Sequence, residues 1–103
     1  MRKVILESPY AGEVELHLDY ARYCLKDSLM RGEAPIASHL LHTQVLNDEI
    51  EEERNLGINA GHQWLEVCEA VVVYTDLGIS KGMRQAIEKA KTLKLKVDYR
   101  KII

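Results

Sequence analysis

Residues 71–90, "VVVYTDLGISKGMRQAIEKA", hold the densest set of groups able to capture an anion. An apolar run leads into a loop with glycines and then into a helical pattern. Gly78 and Gly82 free the backbone, Ser80 offers a hydroxyl where the helix would start, and Lys81 and Arg84 add positive charge. Backbone N–H groups at such a helix start, reinforced by cations, form a nest for an anion. The spacing is neither that of a nucleotide-hydrolysing P-loop nor the glycine fingerprint of a dinucleotide fold. Thr75 and Asp76 sit at the mouth of the same apolar run. Asp76 is the best candidate general base, or a partner for a ligand hydroxyl. Neither Glu7 nor Asp19 is set against Asp76 as a second acid, so no acid–base pair is expected.

Two further groups of residues follow apolar runs. Ser8, Pro9, Tyr10, Ala11 and Gly12 come after the first, and Ser38 with His39 after the second. Each has a plainer structural alternative: "SPYAG" is also a turn feeding a helix, and His39 also reads as a hydrogen-bonded structural histidine. His17, His42 and His62 have no Cys or carboxylate partners at ligand spacing, so no metal site is expected. Cys24 and Cys68 read as core thiols rather than a disulfide.

The elements that must position these groups emerge from periodicity. Lys3–Ser8 reads as a buried strand ended by Pro9, and residues 34–38 ("APIAS") as a second. Val71–Thr75 and Val97–Tyr99 read as a third and a fourth. Val14, Leu18, Ala21, Leu25 and Leu29 follow helical steps of three and four, with Gly32 as the stop. Asn47 or Asp48 is expected to cap a second helix that Gly57 or Gly61 interrupts, and Met83–Leu93 is the last. The acidic segment "DEIEEER", 48–54, reads as the solvated start of the second helix. Trp64 reads as core or subunit interface.

Strands alternating with helices predict an α/β fold with a parallel sheet of about four strands, Rossmann-like in its βαβ units. A flavodoxin-like order 2-1-3-4 is the simplest, with ligands beyond the carboxyl ends of the strands. The glycines and polar residues named above fall at those ends.

Composition narrows the partners. The 103 residues are one domain, 47% hydrophobic and 29% charged, with a net charge of −2. That balance argues against long nucleic acid or an anionic membrane surface. No run approaches a membrane span or a signal peptide, so a cytoplasmic protein is expected.

Ser8-Pro9-Tyr10, the pattern Gly32-x-x-Pro35-x-x-Ser38-His39 and the stretch 71–90 together resemble the nucleoside 2-deoxyribosyltransferase superfamily. That superfamily includes deoxynucleoside-monophosphate N-glycosidases and many small phage and bacterial relatives. The resemblance spans nearly the whole chain and implies the flavodoxin-like sheet, a homodimer or homotetramer, and sites completed by a neighbouring subunit. It also implies an S-x-G-x-x-x-E motif whose serine and first-turn amides hold the 5′ side of the nucleotide and whose glutamate is the nucleophile. Ser80 and Gly82 match this motif, but Ala86 occupies the nucleophile position. Glu88, two residues on, is turned by about 200° on a helix of 3.6 residues per turn.

The expectation is therefore a nucleotide or cyclic-nucleotide binder without turnover and without a cofactor. It would suit sequestration of a nucleotide signal, like a phage anti-defence sponge working in the host cytoplasm. The alternative is an N-glycosidase or deoxyribosyltransferase that uses Asp76, or Glu88 in a shifted register. An interaction module built on the acidic helix is a third reading.

Overall fold

The computed structural model describes residues 1–103. Strands β1 (Arg2–Glu7), β2 (Glu33–Ile36), β3 (Ala70–Tyr74) and β4 (Lys96–Arg100) alternate with helices α1 (Val14–Met30), α2 (Glu51–Gln63) and α3 (Lys81–Thr92). The four strands form one sheet in the order β2-β1-β3-β4. Every pairing is parallel, with Val4 opposite Pro35 and Ala70, and Val71 opposite Val97. The α/β class and the strand order are those expected from the periodicity.

All five residues of β3 are buried, which is why the strand is continuously apolar: it is central and covered on both faces. Alternation along the strands sorts two cores. Val4, Leu6, Val72 and Tyr74 pack with Tyr20 and Cys24 of α1. Ile5, Val71 and Val73 pack with Leu65 and with Met83, Ile87 and Ala90 of α3. Both cysteines are free thiols.

The ends of α1 and α3 follow local chemistry. Gly32, at φ +84°, takes the left-handed conformation that stops α1. Ser80 caps α3, its hydroxyl accepting from the Met83 amide at 3.3 Å.

The second helix departs from the sequence expectation in two ways. Asn47 is not its cap; its side chain accepts from the Glu49 amide at 3.0 Å and closes a turn, and the helix starts at Glu51 after Ile50. Gly57 and Gly61 do not break it. A Cβ at Gly61 would lie 2.7 Å from Ser38 Oγ, so the glycine lets α2 press against the turn after β2. That close packing offsets the cost of about 1 kcal/mol of a helical glycine.

Candidate functional site

The carboxyl ends of β1 and β2 and the start of α3 converge on an open crevice of about 470 Å³, within the range of ligand pockets. It lies on the α2 and α3 side of the sheet, floored by Ile5, Leu65 and Met83. Among the residues named from sequence, Ser8, Tyr10, Ser38 and His39 line one wall, and Ser80, Lys81 and Gly82 another.

Each wall is locally built. Ser8 and Pro9 are buried directly after β1, which ends one residue before the pre-proline position. Ser8 Oγ and His39 Nε2 lie 2.7 Å apart, tying the end of β1 to the turn after β2. The Thr43 hydroxyl donates to the His39 carbonyl at 2.6 Å and steadies that turn. Burial pushes the His39 pKa down to about 4, so the ring is neutral at physiological pH. At α3 the Met83 amide is satisfied by Ser80 Oγ and the Arg84 amide by the Ser80 carbonyl. The Lys81 and Gly82 N–H groups have no acceptor in the protein and belong to residues lining the crevice. They are the orphan donors of a helix start, and Lys81 adds a cation.

The remaining expected residues are not brought into the crevice. Asp76 shares its alternation with Val72 and Tyr74, so it turns toward α1. There it accepts from the Tyr20 hydroxyl at 2.6 Å and from the amides of Ile102 at 3.0 Å and Ile103 at 3.2 Å. Burial works against its charge, yet these donors lower its pKa. Asp76 thus ties down the chain after β4 rather than facing a ligand. Thr75 is spent in the same way, its amide and hydroxyl both donating to the Arg100 carbonyl at 2.9 and 3.2 Å. Gly12 and Gly78 shape turns at positive φ, and Pro9 is buried without lining the crevice. Arg84 is exposed outside the crevice.

Ala86 is only 2% exposed, on the packed face of α3, and Gln85 lines the crevice instead. Glu88 is exposed on the outer side of the helix. The carboxylate that does line the crevice near β1 is Glu7. It shares its side of the sheet with Ile5, two residues earlier, and burial pushes its pKa up to about 8. That alternation is the signal in the sequence, since an acidic residue ending an inward-facing apolar stripe must meet either a partner or a cavity. The α2 wall, with Arg54, Asn55 and His62, leaves no such trace because it is brought in by the Gly61 contact. No group of three His, Cys, Asp or Glu side chains converges as a metal site. No helix is long and apolar enough to cross a membrane.

Residues 2–100 match the family described as a domain of unknown function, DUF7768. The chain belongs to that family. Among solved structures its fold is similar to that of the 2-desoxiribosyltransferase from Leishmania mexicana, with a TM-score of 0.63 at 11% sequence identity. The match covers 100% of this chain but 66% of that protein, so this chain spans less than two thirds of its length. At such identity the likeness is one of fold, and it agrees with the deoxyribosyltransferase-like architecture read from the sequence. No curated protein matches the sequence.

Proposed function

We propose that the crevice binds a nucleoside 5′-phosphate without turning it over. The observation that carries this reading is the pair of unpaired amides at Lys81 and Gly82, with the Lys81 side chain, facing Ser8, Tyr10 and His39 across the crevice. A phosphate at the helix start would leave the sugar and base to the opposite wall. The likeness of fold to a 2-deoxyribosyltransferase supports a nucleoside-type ligand. Ala86 on the packed face of α3 supplies no nucleophile, which supports binding without chemistry. Holding a nucleotide intact is the property needed to sequester a nucleotide signal, cyclic or linear.

Cleavage of the N-glycosidic bond is the second reading, favoured by the Glu7 carboxyl in the crevice. One experiment separates the two: nucleoside 5′-monophosphates are bound in calorimetry, then recovered and chromatographed. Intact ligand supports the binder. Free base released by wild-type protein and not by Glu7→Gln would establish the hydrolase, and no binding of any nucleotide would remove both.

The working unit in this reading is a homodimer or homotetramer. Leu16, Tyr23 and Met30 recur every seventh residue along α1, which places them on one stripe, and they are 51%, 68% and 79% exposed. Such a stripe is the seam of a helix–helix contact. Light scattering at micromolar concentration should exceed the 11.8 kDa of one chain.

A further inference from the structure

We propose that Glu7 binds the nucleotide as an ionised carboxylate, taking two neighbouring donors of the ligand and giving up its proton as the ligand enters. This rests on the nucleotide reading above and names what the site selects. The donors are either the N1–H and 2-amino group of a guanine or the 2′- and 3′-hydroxyls of a ribose, the two places where a nucleotide offers adjacent donors.

The geometry begins with the floor of the crevice. Ile5, Leu65 and Met83 are buried and apolar, and Glu7 continues the stripe of Ile5 at the carboxyl end of β1. The Glu7 carboxyl makes no salt bridge and draws no hydrogen-bond donor from the protein; burial alone acts on it. Every fully buried polar side-chain atom in the protein has a partner, so the Glu7 oxygens are open to the crevice rather than sealed behind it. A ligand filling the space removes their water and must supply partners, or it leaves a desolvated carboxyl. The two oxygens of a carboxylate accept side by side, so the complement is two adjacent donors.

Magnitudes permit the proton to leave. With the empty-site pKa near 8, ionising Glu7 at pH 7 costs about tenfold in affinity. Two charge-assisted hydrogen bonds return more than that. Ligand affinity therefore rises with pH up to about 8 and levels off above it, with at most tenfold per unit for one proton released.

Other titratable or charged groups surround the same crevice. Tyr10 follows β1, and His39, His42 and Asp48 lie between β2 and α2. Glu53, Arg54 and His62 come from α2, and Lys81 from α3. The change Glu7→Gln keeps all of them, so the difference between the two pH profiles belongs to Glu7.

The test is calorimetry of guanosine, inosine and 2′-deoxyguanosine 5′-monophosphates from pH 6 to 9, in two buffers of different ionisation heat. Inosine lacks the 2-amino group and deoxyguanosine the 2′-hydroxyl. The expected result is release at pH 6.5 of close to one proton more than Glu7→Gln releases, since the ligand phosphate also titrates near pH 6, and a loss of roughly tenfold or more for one of the two analogues. Loss with the inosine nucleotide places guanine on Glu7, and loss with the deoxynucleotide places the ribose there. Glu7→Gln should flatten the pH profile and erase that preference. Proton release no greater than that of Glu7→Gln, or equal binding of all three nucleotides, would overturn the role of Glu7 while leaving the nucleotide site standing. No binding by any of the three would overturn both.

Discussion

Glu33, buried, and Glu7, open to the crevice, are carboxylates on adjacent strands with opposite surroundings. Glu33, at the start of β2, accepts from Arg100 at 2.7 and 2.8 Å, from Ser28 at 2.8 Å and from Arg2 at 3.1 Å. The network closes on itself: Arg2 also reaches Asp98 at 2.7 Å, and Arg100 donates to the Tyr74 hydroxyl, which donates to Asp27. Hydrogen bonds from Arg100 hold the Glu33 pKa down at about 2. Glu7, at the end of β1, has none of this, and burial drives its pKa the other way. One region has spent its polar groups on joining α1 to all four strands. The other has left a carboxyl, a cation and two amides facing open space. Orphan amides and a lysine are ordinary at a helix start, but an unpartnered carboxyl closing an apolar floor is not, and that contrast favours the proposed ligand.

The largest expected effect comes from breaking the closed network. Glu33→Ala strands the Arg100 guanidinium, whose side chain is 8% exposed, and should cost about 3–5 kcal/mol in urea unfolding. The pH dependence has a definite sign. A carboxylate with its folded pKa below its unfolded value stabilises fully above the unfolded value. For Glu33 that stability is lost as pH falls through 4.5 toward 2. Wild-type protein should therefore lose stability on acidification through this window, and Glu33→Ala should show a flatter profile there. Equal profiles would mean that the network is not what holds α1 to the sheet.

Glu7 should behave in reverse. Its folded pKa lies above the unfolded value, so its favourable contribution is complete below 4.5 and is lost as pH rises toward 8. Glu7→Gln removes the ionisation and should raise stability at pH 9 by about 2 kcal/mol, the full shift being discounted because the crevice admits water. At pH 4 the two proteins should unfold alike. A variant less stable than wild type at pH 9 would show that Glu7 has a structural partner after all.

Part of this contrast is legible in the order of residues alone. Alternation from Ile5 to Glu7 and from Val72 through Tyr74 to Asp76 sorts the two acids onto opposite faces of the sheet. The strand order and the Ser80-capped start of α3 are likewise readable from local pattern. The fate of Asp76 is not, because its donors, Tyr20 and the amides of Ile102 and Ile103, come from distant chain. The α2 wall is hidden for the same reason: a glycine reads locally as a helix breaker, while its use here, close contact with Ser38, is a long-range property.

The smallest expected effects separate two neighbouring cations of α3. Lys81 lines the crevice at the helix start, and Arg84 lies one turn on, exposed and outside it. Neither makes a salt bridge, unlike Arg2 and Arg100 in the closed network, so alanine at either position should change stability by no more than about 0.5 kcal/mol. Affinity for a nucleoside monophosphate is where they part. Lys81→Ala removes a charge-assisted contact to phosphate and should cost about 1.5 kcal/mol, whereas Arg84→Ala acts only through screened long-range attraction and should cost under about 0.5 kcal/mol. Calorimetry on both variants at low and moderate salt checks this, since the Arg84 effect should shrink further as salt rises. If Arg84→Ala proves the more damaging, the phosphate lies outside the crevice on the exposed face of α3, and Glu7 loses its claim to the same ligand.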